Sequence, residues 1–267
     1  MIVTRTVRET REARSAAAGR VGLVPTMGAL HRGHLSLLGA ARAECDLVVA
    51  SVFVNPAQFR PGEDFDSYPR DEASDLATLE RAGVDVAFLP WAEEMYPPGY
   101  QTWVDVEELS RGLEGDARPG HFRGVATVCL KLFEIVRPDR AYFGQKDAQQ
   151  AEVIGRMIRD LHVEIELRVL PTVRDGDGVA LSSRNVFLSR EEREAARALP
   201  RALLAGAEAH RRGAPAEDAA RAVLEAERRL APEYVEVARW NGRTVLAAAV
   251  RAGSTRLIDN VVLEERS

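Results

Sequence analysis

The sequence predicts an α/β protein: a doubly wound parallel sheet followed by a smaller α+β domain. Two observations predict the first domain. Its apolar runs, such as residues 47–54, have the uniform hydrophobicity of parallel strands covered on both faces, and helical patterns separate them along the chain. A third observation predicts the second domain, where two Ala- and Arg-rich helical segments precede three amphipathic β-like runs.

The first domain begins with a surface helix predicted over residues 6–18, which stops at Gly19 and is followed by a strand ending near Pro25. Later strands are predicted at residues 47–54, 84–89, 141–143 and 163–170. Helices are predicted from His34 onward and over residues 69–83, 123–136 and 144–161.

Two connections in this domain are distinctive. The segment after the second long strand is acidic, and we interpret its charges, Asp75 included, as a solvent-exposed face. Residues 90–120 are rich in loop-forming residues, which predicts a lid or a partner surface.

The second domain opens after the turn at residues 175–178. Helices are predicted over residues 189–212 and 216–230, with Ser189 as N-cap and Glu192 in the capping-box position. Three strands follow, at residues 234–240, 244–250 and 256–263. We therefore predict a Rossmann-like domain over residues 1–172 and a small α+β domain over residues 173–267.

Composition narrows the function classes. The chain has 267 residues and a formal net charge of −5, which disfavours general nucleic-acid binding and favours a small partner. Cys45 and Cys129 have no metal-binding or disulfide spacing, so buried free thiols are expected. The first residues lack the apolar core of a signal peptide, and no apolar run approaches the roughly 20 residues that span a bilayer. We expect a cytoplasmic protein.

The turn at residues 25–34 carries the strongest chemical signal. Gly28 gives the turn conformational freedom, and His31 and His34 share one face of the first helical turn, beside N–H groups without intrahelical partners. This predicts an anion site whose two imidazoles can stay charged beside a phosphate. On spacing alone, two surface histidines in a polar loop are an open alternative. The sequence has no GxxxxGK[ST] motif, which disfavours a P-loop enzyme.

Two other stretches offer cations. Lys146 heads a helix directly after a strand, and it and Lys131 are the only lysines among 36 Lys and Arg residues, which suggests that a compact ammonium is needed. Ser182, Ser183 and Arg184 follow the last parallel strand. The structural alternatives are an exposed lysine and an ordinary approach to a helix.

Four motifs stand in order along the chain: PTMGALHRGH at residues 25–34, SVFVNPAQF at 51–59, YFGQKDAQQ at 142–150 and LSSRN at 181–185. Together they resemble the pantoate–β-alanine ligase (pantothenate synthetase) family over essentially the whole chain. The first motif is also similar to the His-x-Gly-His of the nucleotidyltransferase superfamily that includes class I aminoacyl-tRNA synthetases.

The resemblance implies an ATP- and Mg²⁺-dependent reaction. Pantoate is activated to pantoyl adenylate with release of pyrophosphate, and the amine of β-alanine then displaces AMP. A homodimer is also implied, with the small domain as a lid. Two alternatives stay open: another adenylyl- or cytidylyltransferase of the superfamily, or an inactive nucleotide-binding regulatory module, against which the intact His31, His34, Lys146 and Arg184 argue.

The resemblance also implies roles for individual residues. His34 is the principal acid-type catalyst, aided by His31, Lys146 and Arg184. The implied ATP-binding residues are Met27, Gly28, Ala29, Leu30, His31, Arg32, Gly33, His34, Gly144, Gln145, Lys146, Asp147, Val173, Leu181, Ser182, Ser183 and Arg184. The neutral amides of Asn55, Gln58 and Gln150 suit pantoate, with Gln58 also near β-alanine. Capping before Pro56 is a rival role for Asn55.

The sequence departs from the family pattern at three positions. Arg32 and Gln145 stand where glutamate is common, and Leu181 stands where methionine is common. Gln145 lacks a carboxylate that would lie near the metal and phosphates, so the metal ligands are not predicted. We expect a supporting role for His121, a structural or interfacial one for Lys131, and surface positions for His162 and His210.

Overall fold

The computed structural model describes residues 1–16 and 18–264. The chain forms two compact units. The large unit comprises Met1–Gly144 and Gln149–Leu170, and the small unit comprises Gln145–Ala148 and the chain from Pro171 onward. Residues 145–148, which the sequence prediction places in the first domain, are thus grouped with the small unit.

Across its described residues, the large unit contains a six-stranded, entirely parallel sheet. Its strands are β1 (Ile2–Thr4), β2 (Val21–Thr26), β3 (Leu47–Val52), β4 (Val86–Phe88), β5 (Arg140–Gly144) and β6 (Glu166–Leu170). The spatial order is β1-β4-β3-β2-β5-β6. The predicted doubly wound parallel sheet is confirmed.

Helices cover this sheet: α1 (Val7–Ser15), α2 (Arg32–Glu44), α3 (Glu72–Arg81), α4 (Ala92–Met95), α5 (Leu113–Ala117), α6 (His121–Val136) and α7 (Ala148–Asp160). The most deeply packed is α6, whose residues from Phe122 to Val136 join β2, β3 and β5 in one apolar core. Because the sheet is buried between helices, its central strands carry apolar residues on both faces.

The order of the strands locates a crevice. From β2 the chain proceeds through β3 toward β4 on one side, then returns to place β5 and β6 on the other side. The strand order therefore reverses between β2 and β5, and in open α/β sheets ligands bind outside the carboxyl ends of the strands at such a point. The turn after β2 leads into the start of α2, where His31 and His34 lie.

The small unit contains an antiparallel sheet, β7 (Leu230–Trp240), β8 (Arg243–Ala252) and β9 (Thr255–Leu263), packed against α8 (Arg190–Ala196), α9 (Ala198–Arg211) and α10 (Ala216–Ala226). The capping box at the start of α8 is confirmed: Ser189 Oγ accepts the Glu192 N–H, and the Glu192 carboxylate accepts the Ser189 N–H.

The single helix predicted over residues 189–212 is wrong, because the chain breaks at Arg197 between α8 and α9. Pro200 explains the break. It has no N–H to donate to the carbonyl of Ala196, and its ring clashes with that carbonyl in a continuous helix.

Cys45 and Cys129 are buried free thiols, as the sequence predicts. Among the helices of the described chain, none has both the length and the apolar composition needed to cross a bilayer.

Candidate active site

The turn between β2 and α2 has an unusual backbone. Gly28 and Ala29 have φ angles of +84° and +50°, in the left-handed region that favours glycine. A Cβ at position 28 would also lie 2.7 Å from a carboxylate oxygen of Asp75. Glycine is therefore required here both by conformation and by space. The turn ends at His31, which is the N-cap of α2.

His31 and His34 lie together at the start of α2, with ring centroids 4.1 Å apart. His31 Nδ1 accepts the Gly33 N–H at 3.1 Å, and His34 Nδ1 accepts the His31 N–H at 3.3 Å. An Nδ1 that accepts carries no proton, so each neutral ring carries its proton on Nε2. The expectation that these imidazoles can stay charged beside a phosphate stays a prediction.

Asp75, on α3, occupies the inside of the same turn. Its carboxylate accepts the Ala29 N–H at 2.9 Å and the Leu30 N–H at 2.8 Å. Burial raises the pKa of Asp75 despite these two hydrogen bonds, which lower it. The Asp75 carboxylate is thus the acceptor that these two backbone N–H groups bind. The predicted helix-terminal anion site must rely on other donors.

The interpretation of Asp75 as part of a solvent-exposed face is wrong, because the residue is only 4% exposed. A signal for its burial exists in the sequence. Asp75 lies four residues before Leu79, so the two share the inward face of α3. The partners of the carboxylate are 45 and 46 residues away, which local patterns do not reveal.

Amide side chains lie after β3. Asn55 is 1% exposed; its Oδ1 accepts the Ala57 N–H, and its Nδ2 donates to the Gly124 carbonyl and to Gln58 Oε1 at 3.2 Å. Gln58 Nε2 in turn contacts Met27 Sδ at 2.8 Å. The capping role for Asn55 is therefore present. Because Gln58 Oε1 accepts from Asn55, the orientation of the Gln58 amide is fixed.

His121 supports Gln58 through the backbone. Its ring is buried, Nδ1 lies 2.9 Å from the Gln58 carbonyl and Nε2 lies 3.1 Å from Arg118 Nη1. Nδ1 therefore donates to the carbonyl and Nε2 accepts from the guanidinium. Burial, together with the charge of Arg118, lowers the pKa of His121 to about 4, so the ring is neutral at physiological pH.

Arg118 also pairs with Glu63 at 2.9 Å and donates to the Gln58 carbonyl. Burial opposes ionisation of Glu63, but Arg118 and Arg60 together outweigh it and lower the pKa of Glu63 to about 2. The segment from Gln58 to Glu63 is thus anchored to the start of α6.

Gln149 and Gln150, at the start of α7, differ sharply. Gln149 is buried and donates to the carbonyls of Leu109, Arg111 and Gly112, while its Oε1 accepts the Glu114 N–H. The half-buried Gln150 amide makes no hydrogen bond within the part of the chain that the structure describes. Gln149 holds the loop in place, and Gln150 keeps its hydrogen-bonding groups available.

In the small unit, the segment at residues 145–147 forms a short 3₁₀ turn. Lys146 Nζ lies 3.4 Å from Asp147 Oδ1, and the Lys146 side chain is mostly covered. Gln145 donates to Asn260 Oδ1 at 3.1 Å and accepts from Arg243 at 3.3 Å. The Gln145 side chain, at a position where glutamate is common in the family, therefore forms hydrogen bonds with β8 and β9.

The remaining predicted nucleotide residues also belong to the small unit. The Val173 carbonyl accepts the Leu181 N–H at 3.0 Å. Ser182 begins a second 3₁₀ turn, Ser183–Phe187, where its Oγ accepts the Arg184 N–H at 3.3 Å. The large unit therefore holds the histidines and the predicted pantoate amides, and the small unit holds Lys146, Val173 and Arg184.

The sequence also predicts a role or a position for three residues outside these sets. Lys131 lies above the rings of Tyr96 and Tyr100, with its ammonium 4.9 and 4.3 Å from their centroids, and it donates to the Met95 carbonyl. These contacts favour the structural alternative for Lys131. His162 is exposed as expected, whereas His210 is half-buried on α9.

Comparison with known proteins assigns the family. The model of the pantoate–β-alanine ligase family matches residues 2–262. The chain belongs to this family. Pantothenate synthetase from Roseiflexus castenholzii is 54% identical over 277 aligned positions that cover 99% of this chain and all of the relative.

Solved structures of the family agree. Pantothenate synthetase from Thermus thermophilus superposes with a TM-score of 0.93 at 49% identity, covering 98% of this chain and 99% of the other. The pantoate–β-alanine ligase from Francisella tularensis, solved with beta-gamma ATP and β-alanine, has a TM-score of 0.85 at 34% identity and covers 99% and 98% of the two chains. The family is therefore one of ligases that share this fold.

Proposed function

We propose that this chain condenses pantoate with β-alanine at the expense of ATP, through pantoyl adenylate. The observation that carries the proposal is the close pair of His31 and His34. The pair follows β2, where the strand order of the sheet reverses, and the chain belongs to this ligase family. The Francisella tularensis relative, solved with beta-gamma ATP and β-alanine, supports the choice of substrates.

In the first step, a pantoate carboxylate oxygen attacks the α-phosphorus of ATP. The bond from that phosphorus to the oxygen bridging it to the β-phosphorus breaks, and pyrophosphate leaves with the bonding electrons. His34, with its proton on Nε2, is suited to donate a hydrogen bond to the leaving oxygen, and His31 acts beside it. Lys146 and Arg184 would offset the negative charge on the phosphates.

In the second step, the β-alanine amine attacks the acyl carbon of the adenylate. The acyl–phosphate bond breaks, AMP leaves, and the amine loses a proton as the amide forms.

The neutral amides of Gln58 and Gln150 suit pantoate, because a salt bridge would hold back the carboxylate that attacks in the first step. Asn55 fixes the Gln58 amide so that its NH₂ group is the end directed away from Asn55.

For the ATP-binding residues we propose the positions that the family resemblance implies. Residues 27–34 and 144–147 would lie around ATP, with Asp147 at the ribose and Val173 at adenine. Leu181, Ser182, Ser183 and Arg184 would lie over the phosphates. The described residues contain no group of three or more His, Cys, Asp or Glu side chains arranged to hold a metal ion. We propose that Mg²⁺ arrives with ATP as the substrate complex, a common arrangement at phosphate-binding sites.

A homodimer and a cytoplasmic location complete the proposal. The dimer rests on the family resemblance, and light scattering of the purified protein tests it. The location rests on the need of the proposed reaction for ATP, and fractionation of cells that express the chain tests it.

The adenylate is tested by exchange of labelled pyrophosphate into ATP. We expect exchange with ATP and pantoate in the absence of β-alanine, because the first step is reversible until the amine arrives. Omitting pantoate should abolish it. Exchange that does not require pantoate would contradict the proposed intermediate and favour a different nucleotidyl transfer.

A further inference from the structure

We propose that Asn260 is the positioning residue for Lys146. The inference rests on the proposed function, because it concerns the lysine expected to bind the phosphates of ATP. Asn260 lies on β9, paired with Ala247 of β8, and is 5% exposed.

The Asn260 carboxamide is completely engaged by one short segment. Its Nδ2 donates to the Gln145 carbonyl at 2.9 Å and to the Lys146 carbonyl at 2.8 Å. Its Oδ1 accepts from Gln145 Nε2 at 3.1 Å. Two donors and one acceptor on a planar group thus fix two consecutive peptide carbonyls, and only an amide supplies this combination.

The Gln145 side chain completes the arrangement. It donates to Asn260 and accepts from Arg243, so it uses both ends of its amide. The amide at position 145 therefore ties the lysine segment to two strands of the small sheet. This accounts for glutamine at that position by contacts within the small unit.

Asp259, the residue before Asn260, holds the segment that follows the proposed adenine contact, Val173. Asp259 is buried and pairs with both terminal nitrogens of Arg174, at 2.5 and 3.0 Å, directly after Val173. Arg174 also donates to the Gly178 carbonyl. Adjacent residues of β9 therefore hold the backbone of the lysine segment and the residue after the proposed adenine contact.

Asn260→Asp tests the proposal with little change of shape. The new carboxylate cannot donate, and one of its oxygens would face two carbonyl oxygens at the present hydrogen-bonding distance, so the lysine segment must shift. We expect kcat/KM for ATP in pantoyl adenylate formation to fall at least 10-fold, whereas KM for β-alanine stays unchanged.

Leu257→Ala is the matched control, since Leu257 is buried on the same strand but makes no contact with the lysine segment among the contacts described for it. It should lower the melting temperature while leaving kcat/KM for ATP within about twofold. If Asn260→Asp does not fold, Asn260→Ser, which keeps one donor, replaces it.

Lys146 can also be observed without turnover, because the chain has only two lysines. Reductive ¹³C-methylation labels Lys131, Lys146 and the N-terminus, and Lys131→Arg assigns the signals. Asn260→Asp should move the Lys146 signal and leave that of Lys131 in place. A folded variant with wild-type kcat/KM for ATP and an unmoved Lys146 signal overturns the proposal. If the wild-type protein does not form AMP, the proposed function fails instead.

Discussion

The backbone N–H of His31 donates to the imidazole Nδ1 of His34 at 3.3 Å, so the side chain proposed as proton donor also caps the helix that carries it. The same bond directs the proton of the neutral ring to Nε2. Position and neutral tautomer of the proposed catalytic group are thus set by one contact, while His31 Nδ1 accepts the Gly33 N–H in a similar way.

The two roles of His34 are separable by mutation. Glutamine at this position, the third residue of the helix, can accept the N-cap N–H as in an ordinary capping box. We expect His34→Gln to keep the wild-type melting temperature and to lose roughly 10²-fold in single-turnover adenylation. His34→Ala should lose the same activity and also about 1 kcal/mol of stability.

His162→Gln, at an exposed position, is the control and should change neither quantity. Near-normal adenylation by His34→Gln would show that the histidine serves only as a cap.

Asp75 should matter for both stability and rate. In Asp75→Asn the amide NH₂ group would face either the Ala29 or the Leu30 N–H, so one buried donor loses its acceptor, at a cost of about 1–3 kcal/mol. Because the histidine turn then shifts, we expect adenylation to slow at least 10-fold. Urea unfolding and single-turnover kinetics measure the two effects, with the exposed Glu80→Gln on the same helix as control.

His121 predicts a pH dependence of stability. Its pKa is about 4 in the folded protein and ordinarily 6.5, so the unfolded chain binds its proton first as the pH falls. The stability contributed by the neutral ring is complete above pH 6.5 and is lost progressively toward pH 4, by roughly 3 kcal/mol in total. His121→Asn should have a flatter profile of unfolding free energy across this range.

His162→Asn, which replaces an exposed ring, is the control for the loss of a histidine. Parallel profiles for wild type and His121→Asn between pH 6.5 and pH 4 would show that His121 is not held neutral.

The lysines provide a matched pair. Lys146→Arg should be severely impaired in adenylation if a compact ammonium is required at the phosphates, because guanidinium is larger and planar. Lys131→Arg should retain activity, since a guanidinium also stacks on the aromatic rings that Lys131 covers. Single-turnover rates compare the two. Wild-type turnover by Lys146→Arg would remove the argument from the scarcity of lysine in this chain.

Local patterns in the sequence predict much of this fold. The apolar runs give the parallel strands, and the Ser189 and Glu192 pair gives the start of α8, because both depend on residues close together in the chain. Pro200 is the sequence signal for the break before α9, and the prediction of a single helix over residues 189–212 does not use it.

The contacts that build the site are harder to predict from the sequence. The spacing of the residues predicts the histidine turn, but the carboxylate that fills it, from Asp75, comes from another helix. Asn260 reaches the Lys146 segment from 114 residues away. No periodicity encodes such pairs, because they follow from how strands are ordered in the two sheets.

The proposed ligase reaction is decided by AMP release with ATP, pantoate and β-alanine, omitting each substrate in turn. We predict AMP only when all three are present, and pyrophosphate limited to about one equivalent per enzyme when β-alanine alone is omitted. Steady AMP production without β-alanine, or a nucleotidyl product that accumulates with all three present, would contradict the proposed reaction.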